Sequence, residues 1–294
     1  MAVRALLRAM RPKQWTKNAF VFAGVFFDGK LLNPTMLLRS LAAFGLFCLI
    51  SSAIYLVNDL ADMEQDRIHP TKRHRPLASG ALKPWVAVVA AIVMAGVSLP
   101  ASFLLGARFG AVLVGYALMM VLYSYVLKHV VIIDVMTIAA GFVLRVFGGA
   151  VVVPVTRFSP WLYVCTTLLA LFIAINRRRH ELLLLAEDAN HHRAILEEYT
   201  LAFLGDMTSL VTATALAAYS FYTFSAPNLP ANHTMMLTIP FVMYGIFRYL
   251  YLVRVKNMGG APEDVVLGDR PLMVAIALWA LVAGLVIYAG RLGL

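Results

Sequence analysis

The sequence predicts an all-α, polytopic membrane protein, and three observations carry this prediction. Of its 294 residues, 61% are hydrophobic and only 14% are charged, whereas globular chains carry about 25% charged residues. The mean hydropathy is +0.80. Long apolar runs recur along the chain without the alternation of a transmembrane barrel. A single integral membrane domain over residues 1–294 follows, with no stretch left for a separate soluble core.

Nine segments are apolar over the length of about 20 residues that a spanning helix needs. They lie near residues 18–33, 35–57, 85–105, 109–127, 130–153, 160–176, 201–224, 235–254 and 272–290. The first segment is the weakest, because Asp28 and Lys30 interrupt it. Gly and Ala in several segments favour close helix packing in lipid. The sequence therefore predicts nine transmembrane helices.

The distribution of basic residues predicts the orientation. With a cytoplasmic N-terminus and nine crossings, 18 of the 25 Lys and Arg residues fall on the cytoplasmic side and five on the outer side. This asymmetry is typical of cytoplasmic loops, so the C-terminus is predicted to lie outside. The net charge of +10 resides in membrane-proximal loops, which argues against nucleic acid as a partner.

The densest polar cluster is the sequence NDLADMEQD, which continues the second apolar segment. On a helix, Asp59, Asp62 and Asp66 lie within about 60° of one another, with Asn58 at the margin of that face. Oxygen ligands of this type suit Mg²⁺ shared with substrate phosphates. We therefore predict Asn58, Asp59, Asp62 and Asp66 as metal ligands. The alternative is a solvated acidic helix end, neutralised by nearby Arg and Lys.

A basic stretch follows the acidic cluster at once, in the sequence RIHPTKRHRP. Its side chains Arg67, Lys72, Arg73 and Arg75 are predicted to bind phosphate oxygens while the carboxylates hold the metal. The alternative is an ordinary positively charged cytoplasmic loop. That alternative leaves the adjacent acidic face unexplained.

Two ionisable residues stand inside the fifth apolar segment, where a charge is costly and indicates function. Asp134 and Arg145 are 11 residues apart, so both point to nearly the same helix face, with Gly141 opening space between them. Asp134 is a candidate to position a metal or a ribose hydroxyl, and Arg145 to bind a phosphate or brace the bundle. A purely structural role in hydrogen bonds between helices is the alternative for both.

These motifs together resemble a known family. NDLADMEQD followed by HPTKRHRPLASG is similar to the first Asp-rich motif, NDxxDxxxD, of the UbiA superfamily of intramembrane prenyltransferases. RPKQWTKN, KRHRP, RRRHEL and DRPL resemble one branch, the decaprenyl-phosphate phosphoribosyltransferases. The likeness spans nearly the whole chain.

The resemblance implies a nine-helix bundle around a cytoplasm-facing cavity in the bacterial plasma membrane. It implies Mg²⁺ as cofactor, Asp59, Asp62 and Asp66 as catalytic residues, and phosphoribosyl diphosphate and decaprenyl phosphate as substrates. The product would supply arabinose donors for the cell-wall arabinogalactan. It also makes Lys17, Asn18, Tyr123 and Lys128 candidate substrate-binding residues, although Lys128 beside its tyrosines also fits an interfacial anchor.

One departure from the superfamily favours this branch. Where other members resemble one another in a second motif, DxxxD, this chain reads Asn176-Arg177-Arg178-Arg179-His180-Glu181. A site with two carboxylate-bound metals is therefore doubtful, and Arg177, Arg178 and Glu181 become candidates for binding a more anionic substrate. The alternative for the arginines is topology-setting charge.

Two further hypotheses for the function stay open: an aromatic prenyltransferase with a prenyl diphosphate donor, and a transporter or binding protein for lipid phosphates.

Two smaller features concern the histidines and the start of the last apolar segment. His180, His191 and His192 fit no metal-ligand spacing and are interpreted as loop histidines. The sequence Asp269-Arg270-Pro271 before the last segment fits either a closure of the cavity or a capped helix start.

Overall fold

The computed structural model describes residues 2–68, 71–155, 159–186, 194–258 and 262–292. Every regular element within these residues is a helix, which confirms the all-α prediction. We number the α-helices α1 (Ala2–Ala9), α2 (Ala23–Phe27), α3 (Pro34–Ala61), α4 (Met63–Ile68), α5 (Pro84–Leu104), α6 (Ala107–Tyr125), α7 (Ile133–Val152), α8 (Pro160–Ala186), α9 (Leu201–Ser225), α10 (Ile239–Arg254), α11 (Pro262–Gly268) and α12 (Arg270–Leu292). Short 3₁₀-helices cover Pro12–Phe22, Lys72–His74, Leu127–His129, Ala194–Leu196 and Thr234–Thr238.

Eight helices in the described part of the chain are long and apolar enough to cross a membrane. They are α3, α5, α6, α7, α8, α9, α12, and α10 together with the 3₁₀ turn that precedes it. Their bounds match eight of the nine predicted segments to within a few residues, except that α8 runs on to Ala186 instead of ending near residue 176. The chain is therefore a multi-pass membrane protein.

The first predicted segment is not a continuous α-helix, so nine long helices are not confirmed. Pro12–Phe22 forms a 3₁₀-helix of 11 residues, and the five-residue α2 follows it. At rises of about 2.0 and 1.5 Å per residue, the two pieces extend about 30 Å, close to the thickness of a hydrocarbon core. Arg11 contacts Asp59 at the end of α3, and Lys30 contacts the Pro154 carbonyl beyond the end of α7. This segment therefore runs antiparallel to α3 along the bundle.

Close backbone packing holds this segment against α7. A Cβ atom added at Gly149 would lie 1.9 Å from the carbonyl oxygen of Val21, and one at Gly24 would lie 2.9 Å from the backbone of Gly149 and Ala150. Only glycine fits at such distances, as in other helix contacts within lipid. The glycines therefore allow a thin irregular segment to occupy a place in the bundle.

The long helices form two packed groups that share α7. One core cluster joins α3, α6 and the end of α7 around Phe47, Phe109 and Tyr116. The other joins α8, α9, α10 and the start of α7, with Phe172 and Tyr249 in contact. The ends of α3, α8 and α10 and the starts of α7 and α11 meet at one end of the bundle, and the predicted site residues are concentrated there.

Candidate active site

The three motif aspartates are buried at the junction of α3 and α4. Asp59, Asp62 and Asp66 are 2%, 3% and 3% exposed. The helix breaks at Asp62, which ends α3, and the amide of Asp66 hydrogen-bonds to the carbonyl of Asp62 at 2.8 Å to begin the next turn. This break keeps all three carboxylates directed into the protein. The side chain of Glu64, in the same motif, is 73% exposed.

Cations from three separate segments neutralise these carboxylates. Arg11 binds Asp59. Nη1 of Arg75 lies 3.1 Å from Oδ1 of Asp59 and 2.6 Å from Oδ2 of Asp66, so one nitrogen bridges two carboxylates. Lys128, which is itself buried, binds Asp62. The acidic motif is therefore part of a charge-balanced cluster of three carboxylates and three cations.

Asn58 also belongs to this cluster. Its Nδ2 donates to Oδ2 of Asp62 at 3.2 Å. The guanidinium of Arg11 lies 5.0 Å from the centre of the Tyr55 ring, a cation–π contact. Burial lowers the pKa of Arg11 from its usual value, and the neighbouring Asp59 opposes that shift.

The remaining basic residues of the predicted phosphate grip lie farther out. Arg67 pairs with the exposed Glu64 at 2.8 Å. Arg73 is exposed and donates to His74 at 3.4 Å, and Lys72 is half-buried at the start of a 3₁₀ turn. Of these four predicted phosphate ligands, the structure brings Arg75 into contact with the motif carboxylates.

A second network surrounds Asp134 at the start of α7, where the side chain is fully buried. Its Oδ2 accepts from Nε of Arg178 at 2.6 Å, and its Oδ1 accepts from the Tyr199 hydroxyl at 2.7 Å. Arg178 also donates to Glu181 and, at 3.1 Å, to the Tyr123 hydroxyl. Burial and the hydrogen bond to Asp134 raise the pKa of Tyr199 to about 12.

Arg177 shares Glu181 with this network. Its Nε lies 3.4 Å from Oε1 of Glu181, four residues along α8. The charge of Arg177 also lowers the pKa of Arg11, the partner of Asp59.

A third network is centred on the buried Arg145. It donates to Oδ1 of Asn18 at 2.7 Å, to the Gly141 carbonyl at 2.8 Å and to the Tyr116 hydroxyl at 2.7 Å. Asn18 in turn donates to Ser51 at 3.2 Å. These contacts join the N-terminal segment, α3, α6 and α7, and so brace the bundle; phosphate binding by Arg145 stays a prediction. Its distance from Asp134, about 16 Å by helical rise, separates the two networks.

Lys17 lies in a fourth group, which links the N-terminal segment to α11. Its ammonium nitrogen is 3.3 Å from Oε2 of Glu263 on α11, an ion-pair distance, and it donates to Oε1 of Gln14. Gln14 donates to Oε1 of Glu263. The start of α11 is thereby tied to the N-terminal segment across 249 residues of sequence.

The helix-start alternative holds for Asp269. Its Oδ1 accepts from the amide of Leu272 at 2.9 Å, and its carboxylate binds both Nε and Nη2 of Arg248. His180 lies on α8, so its interpretation as a loop histidine is wrong. His191 and His192 lie outside the described residues.

Comparison with known proteins identifies this architecture. Residues 18–264 match the model of the UbiA prenyltransferase family. The chain belongs to the UbiA family.

Two relatives of this UbiA protein carry one name. A decaprenyl-phosphate phosphoribosyltransferase of Mycobacterium tuberculosis is 31% identical over 296 residues, covering 98% of this chain and 96% of the relative. The protein of that name from Corynebacterium glutamicum is 32% identical over 290 residues, covering 96% and 86%. A UbiA homolog from Archaeoglobus fulgidus, solved with GPP and Mg²⁺, shares the fold with a TM-score of 0.73 at 17% identity, covering 96% of this chain and 99% of that one. The predicted resemblance to the family and to this branch is confirmed.

The UbiA site fits a divalent cation through the chemistry of its donors. The part of the chain that the structure describes contains no close group of three His, Cys, Asp or Glu side chains that could hold a metal. Asp59 and Asp66, however, flank one nitrogen of Arg75. Mg²⁺ is commonly held by one or two carboxylates plus substrate phosphates and water, so this pair is sufficient. The four-ligand set that includes Asn58 and Asp62 stays a prediction.

Several residues of the UbiA site were missed by the sequence reasoning. Arg11 and Gln14 enter the sequence analysis only as part of the motif RPKQWTKN, and Tyr199 and Glu263 have no predicted role. No local signal points to Glu263, because the cytoplasmic loops carry other acidic residues as well, among them Glu197 and Glu198. No signal points to Tyr199 either.

Proposed function

We propose that this UbiA family member transfers the 5-phosphoribosyl group of phosphoribosyl diphosphate to a polyprenyl phosphate, decaprenyl phosphate in its named relatives. The observation that carries the proposal is the pairing of a buried acidic cluster with arginines where a second acidic motif would lie. Arg178 is buried among Asp134, Glu181 and Tyr123, which forms an arginine-based wall in place of a second metal site. The names of the relatives support the same reaction.

The acceptor supplies its own nucleophile. A phosphate monoester has a second pKa of about 6, so its oxygen is ionised near neutral pH and requires no strong protein base. That oxygen attacks the anomeric carbon of the donor, the bond from this carbon to the diphosphate oxygen breaks, and diphosphate leaves with inversion at the carbon. The protein's task is to position two anions and to neutralise their charge.

The residues of the acidic cluster divide this task. Asp59 and Asp66 would hold Mg²⁺, which stabilises the charge of the departing diphosphate. Arg11, Arg75 and Lys128 have N–H donors beyond those that bind the carboxylates, and these donors bind diphosphate oxygens. The buried setting excludes water and strengthens these contacts.

The other networks position the acceptor and shape the cavity. Arg177 and Lys17 provide positive charge opposite the acidic cluster for the acceptor phosphate, with Lys17 oriented by Gln14 and Glu263. Arg178 is held by Asp134, Glu181 and Tyr123 and fixes the wall of the site. The proposed unit is one domain in the bacterial plasma membrane, with the N-terminus and the site at the cytoplasmic side and the C-terminus outside.

The aromatic prenyltransferase hypothesis is less well supported. The Archaeoglobus fulgidus homolog is bound to GPP, but at 17% identity this likeness concerns the fold alone. A prenyl diphosphate carries no anion besides its diphosphate, whereas this chain has arginines, Arg177 to Arg179, where the second acidic motif would lie. A transporter or lipid-phosphate binding protein would need neither Mg²⁺ nor diphosphate release.

The test is release of diphosphate from phosphoribosyl diphosphate by detergent-solubilised protein with Mg²⁺, measured with and without decaprenyl phosphate. We expect acceptor-dependent release that falls at least about 100-fold in Asp59→Asn, as when a main charge-stabilising group is removed. Glu64→Gln is the matched control, because it neutralises an exposed acid of the same motif. No release by folded wild-type protein, or equal loss in both variants, would contradict the proposal.

A further inference from the structure

A cavity adjoins the acidic cluster on the side of α1. Its volume is about 160 Å³, room for about five water molecules at roughly 30 Å³ each. We call it the arginine pocket, and it is lined by Arg8, Arg11, Asp59, Thr71, His74, Arg75 and Pro76. None of Arg8, Thr71 and His74 was singled out by the sequence.

The pocket is formed by two segments that are fixed by apolar packing. Ala9, at the end of α1, is 1% exposed and packs in a cluster with Leu56 of α3 and with Leu77, which follows the basic loop. This packing places Arg8, one residue earlier, at the rim opposite His74. The rim is therefore held by the fold, although its side chains are exposed.

The charge of the pocket is strongly positive. Three guanidinium groups and one imidazole surround a single carboxylate, that of Asp59. Arg11 uses Nη2 to bind Asp59, and Arg75 uses Nη1 for both of its carboxylates. Within the described residues, the other N–H groups of these guanidiniums have no protein acceptor, and neither has the side chain of Arg8. Unused donors of this kind bind a phosphate group.

The lining also decides what class of group fits. Pro76 is the one apolar residue among the seven that line the pocket in the described structure, and the four cationic side chains make the pocket a poor site for a prenyl chain or a lipid tail. Asp59 belongs both to this pocket and to the proposed metal–diphosphate site. An occupant of the pocket is therefore attached to, or adjacent to, the diphosphate. A donor with a diphosphate and a second phosphate on one small sugar meets both conditions: the group that enters the pocket is anionic, and it is attached close to the diphosphate.

We propose that the arginine pocket binds the 5-phosphate of the donor sugar, with Arg8 and His74 as the residues that select a donor carrying this second phosphate. This inference rests on the proposed function and assigns one of the donor's phosphates to a place in the site. It also explains why a prenyl diphosphate would be a poor donor: binding it would leave the positive pocket without an anion.

The test measures binding, so that it does not depend on turnover. Calorimetry on detergent-solubilised protein gives the dissociation constants of two ligands: ribose 5-phosphate without Mg²⁺, and inorganic diphosphate with Mg²⁺. The proteins compared are wild type, Arg8→Gln and His74→Gln. Arg4→Gln is the matched control, because Arg4 is an exposed arginine one turn earlier on α1 and does not line the pocket. Melting curves of all variants check the fold.

We expect Arg8→Gln and His74→Gln each to weaken ribose 5-phosphate binding at least about fivefold, as for loss of a charge-assisted hydrogen bond. Diphosphate binding should stay within about twofold of wild type, and Arg4→Gln should change neither constant. Absence of ribose 5-phosphate binding to wild type, or equal weakening of both ligands, overturns the proposal. If wild type turns over phosphoribosyl diphosphate but the variants bind ribose 5-phosphate as tightly as wild type does, the pocket assignment alone is refuted. If the variants show the expected dissociation constants but wild type does not turn over phosphoribosyl diphosphate, the reaction alone is refuted.

Discussion

Replacing Asp134 by Asn tests the second network most sharply, because it removes the charge and the oxygen that accepts from Arg178 while keeping the oxygen that accepts from Tyr199. The Asn side chain still accepts from the Tyr199 hydroxyl, but Arg178, 3% exposed, loses its fully buried counter-charge. Breaking a buried ion pair by removing one partner costs about 3–5 kcal/mol. Glu181 still contacts Arg178, so we expect the lower end of this range or slightly less, about 2–3 kcal/mol.

The assay is thermal unfolding at fixed detergent and scan rate. About 2–4 °C of melting temperature per kcal/mol is expected for a chain of this general size, so Asp134→Asn should lower the midpoint by about 5 °C or more. Tyr199→Phe removes two hydrogen bonds, one donated to Asp134 and one accepted from the Ile132 amide, each worth about 1 kcal/mol, and should lower the midpoint by no more than Asp134→Asn does. Asp206→Asn, which changes an exposed aspartate near the start of α9, controls for the loss of one negative charge. A midpoint unchanged in Asp134→Asn, or lowered more in Tyr199→Phe, would refute this account of the network.

Three further predictions concern other parts of the molecule. Gly149→Ala should cost about 1–3 kcal/mol of stability and lower the melting temperature, because its Cβ would force two backbones apart. Gly45→Ala is the control and should change the melting temperature little, because a Cβ there meets nothing within 4 Å. Lys128→Met should reduce diphosphate release at least about 100-fold, since it leaves Asp62 without its buried cation; near-normal turnover would exclude Lys128 from the site. Glu263→Gln should lower kcat/KM about three- to tenfold, because Lys17 would lose the carboxylate that positions it. A shift in melting temperature without a kinetic change would show that Glu263 has a structural role only.

The sequence locates the acidic cluster and its near partner Arg75, but not the pairing of Arg11 and Lys128 with it. The spacing of Asp59, Asp62 and Asp66 depends on helical geometry within a few residues, and this local rule held although the helix breaks at Asp62. Arg11 is 48 residues from its partner Asp59, and Lys128 is 66 residues from Asp62. Such pairs depend on which helices become neighbours, and no local pattern encodes that.

Two errors in the element boundaries have physical causes. The N-terminal segment was expected as an α-helix because hydropathy windows count apolar residues and do not distinguish a 3₁₀-helix from an α-helix. Helix α8 was expected to end before Arg177, because charge was taken as the edge of the membrane. Instead Arg178 pairs with Asp134 and Glu181 inside the bundle, which satisfies its charge and lets the helix continue to Ala186.

Mass spectrometry of the lipid product tests the central claim most directly. The purified protein receives decaprenyl phosphate and Mg²⁺ together with two competing donors, phosphoribosyl diphosphate and a prenyl diphosphate. The account predicts that the decaprenyl phosphate gains one phosphoribosyl group, that the prenyl diphosphate is left unconsumed, and that Asp59→Asn forms no product. A lipid that gains a prenyl group, or an acceptor that is unchanged while the protein is folded and metal is present, would contradict the assignment of a phosphoribosyl donor to this site.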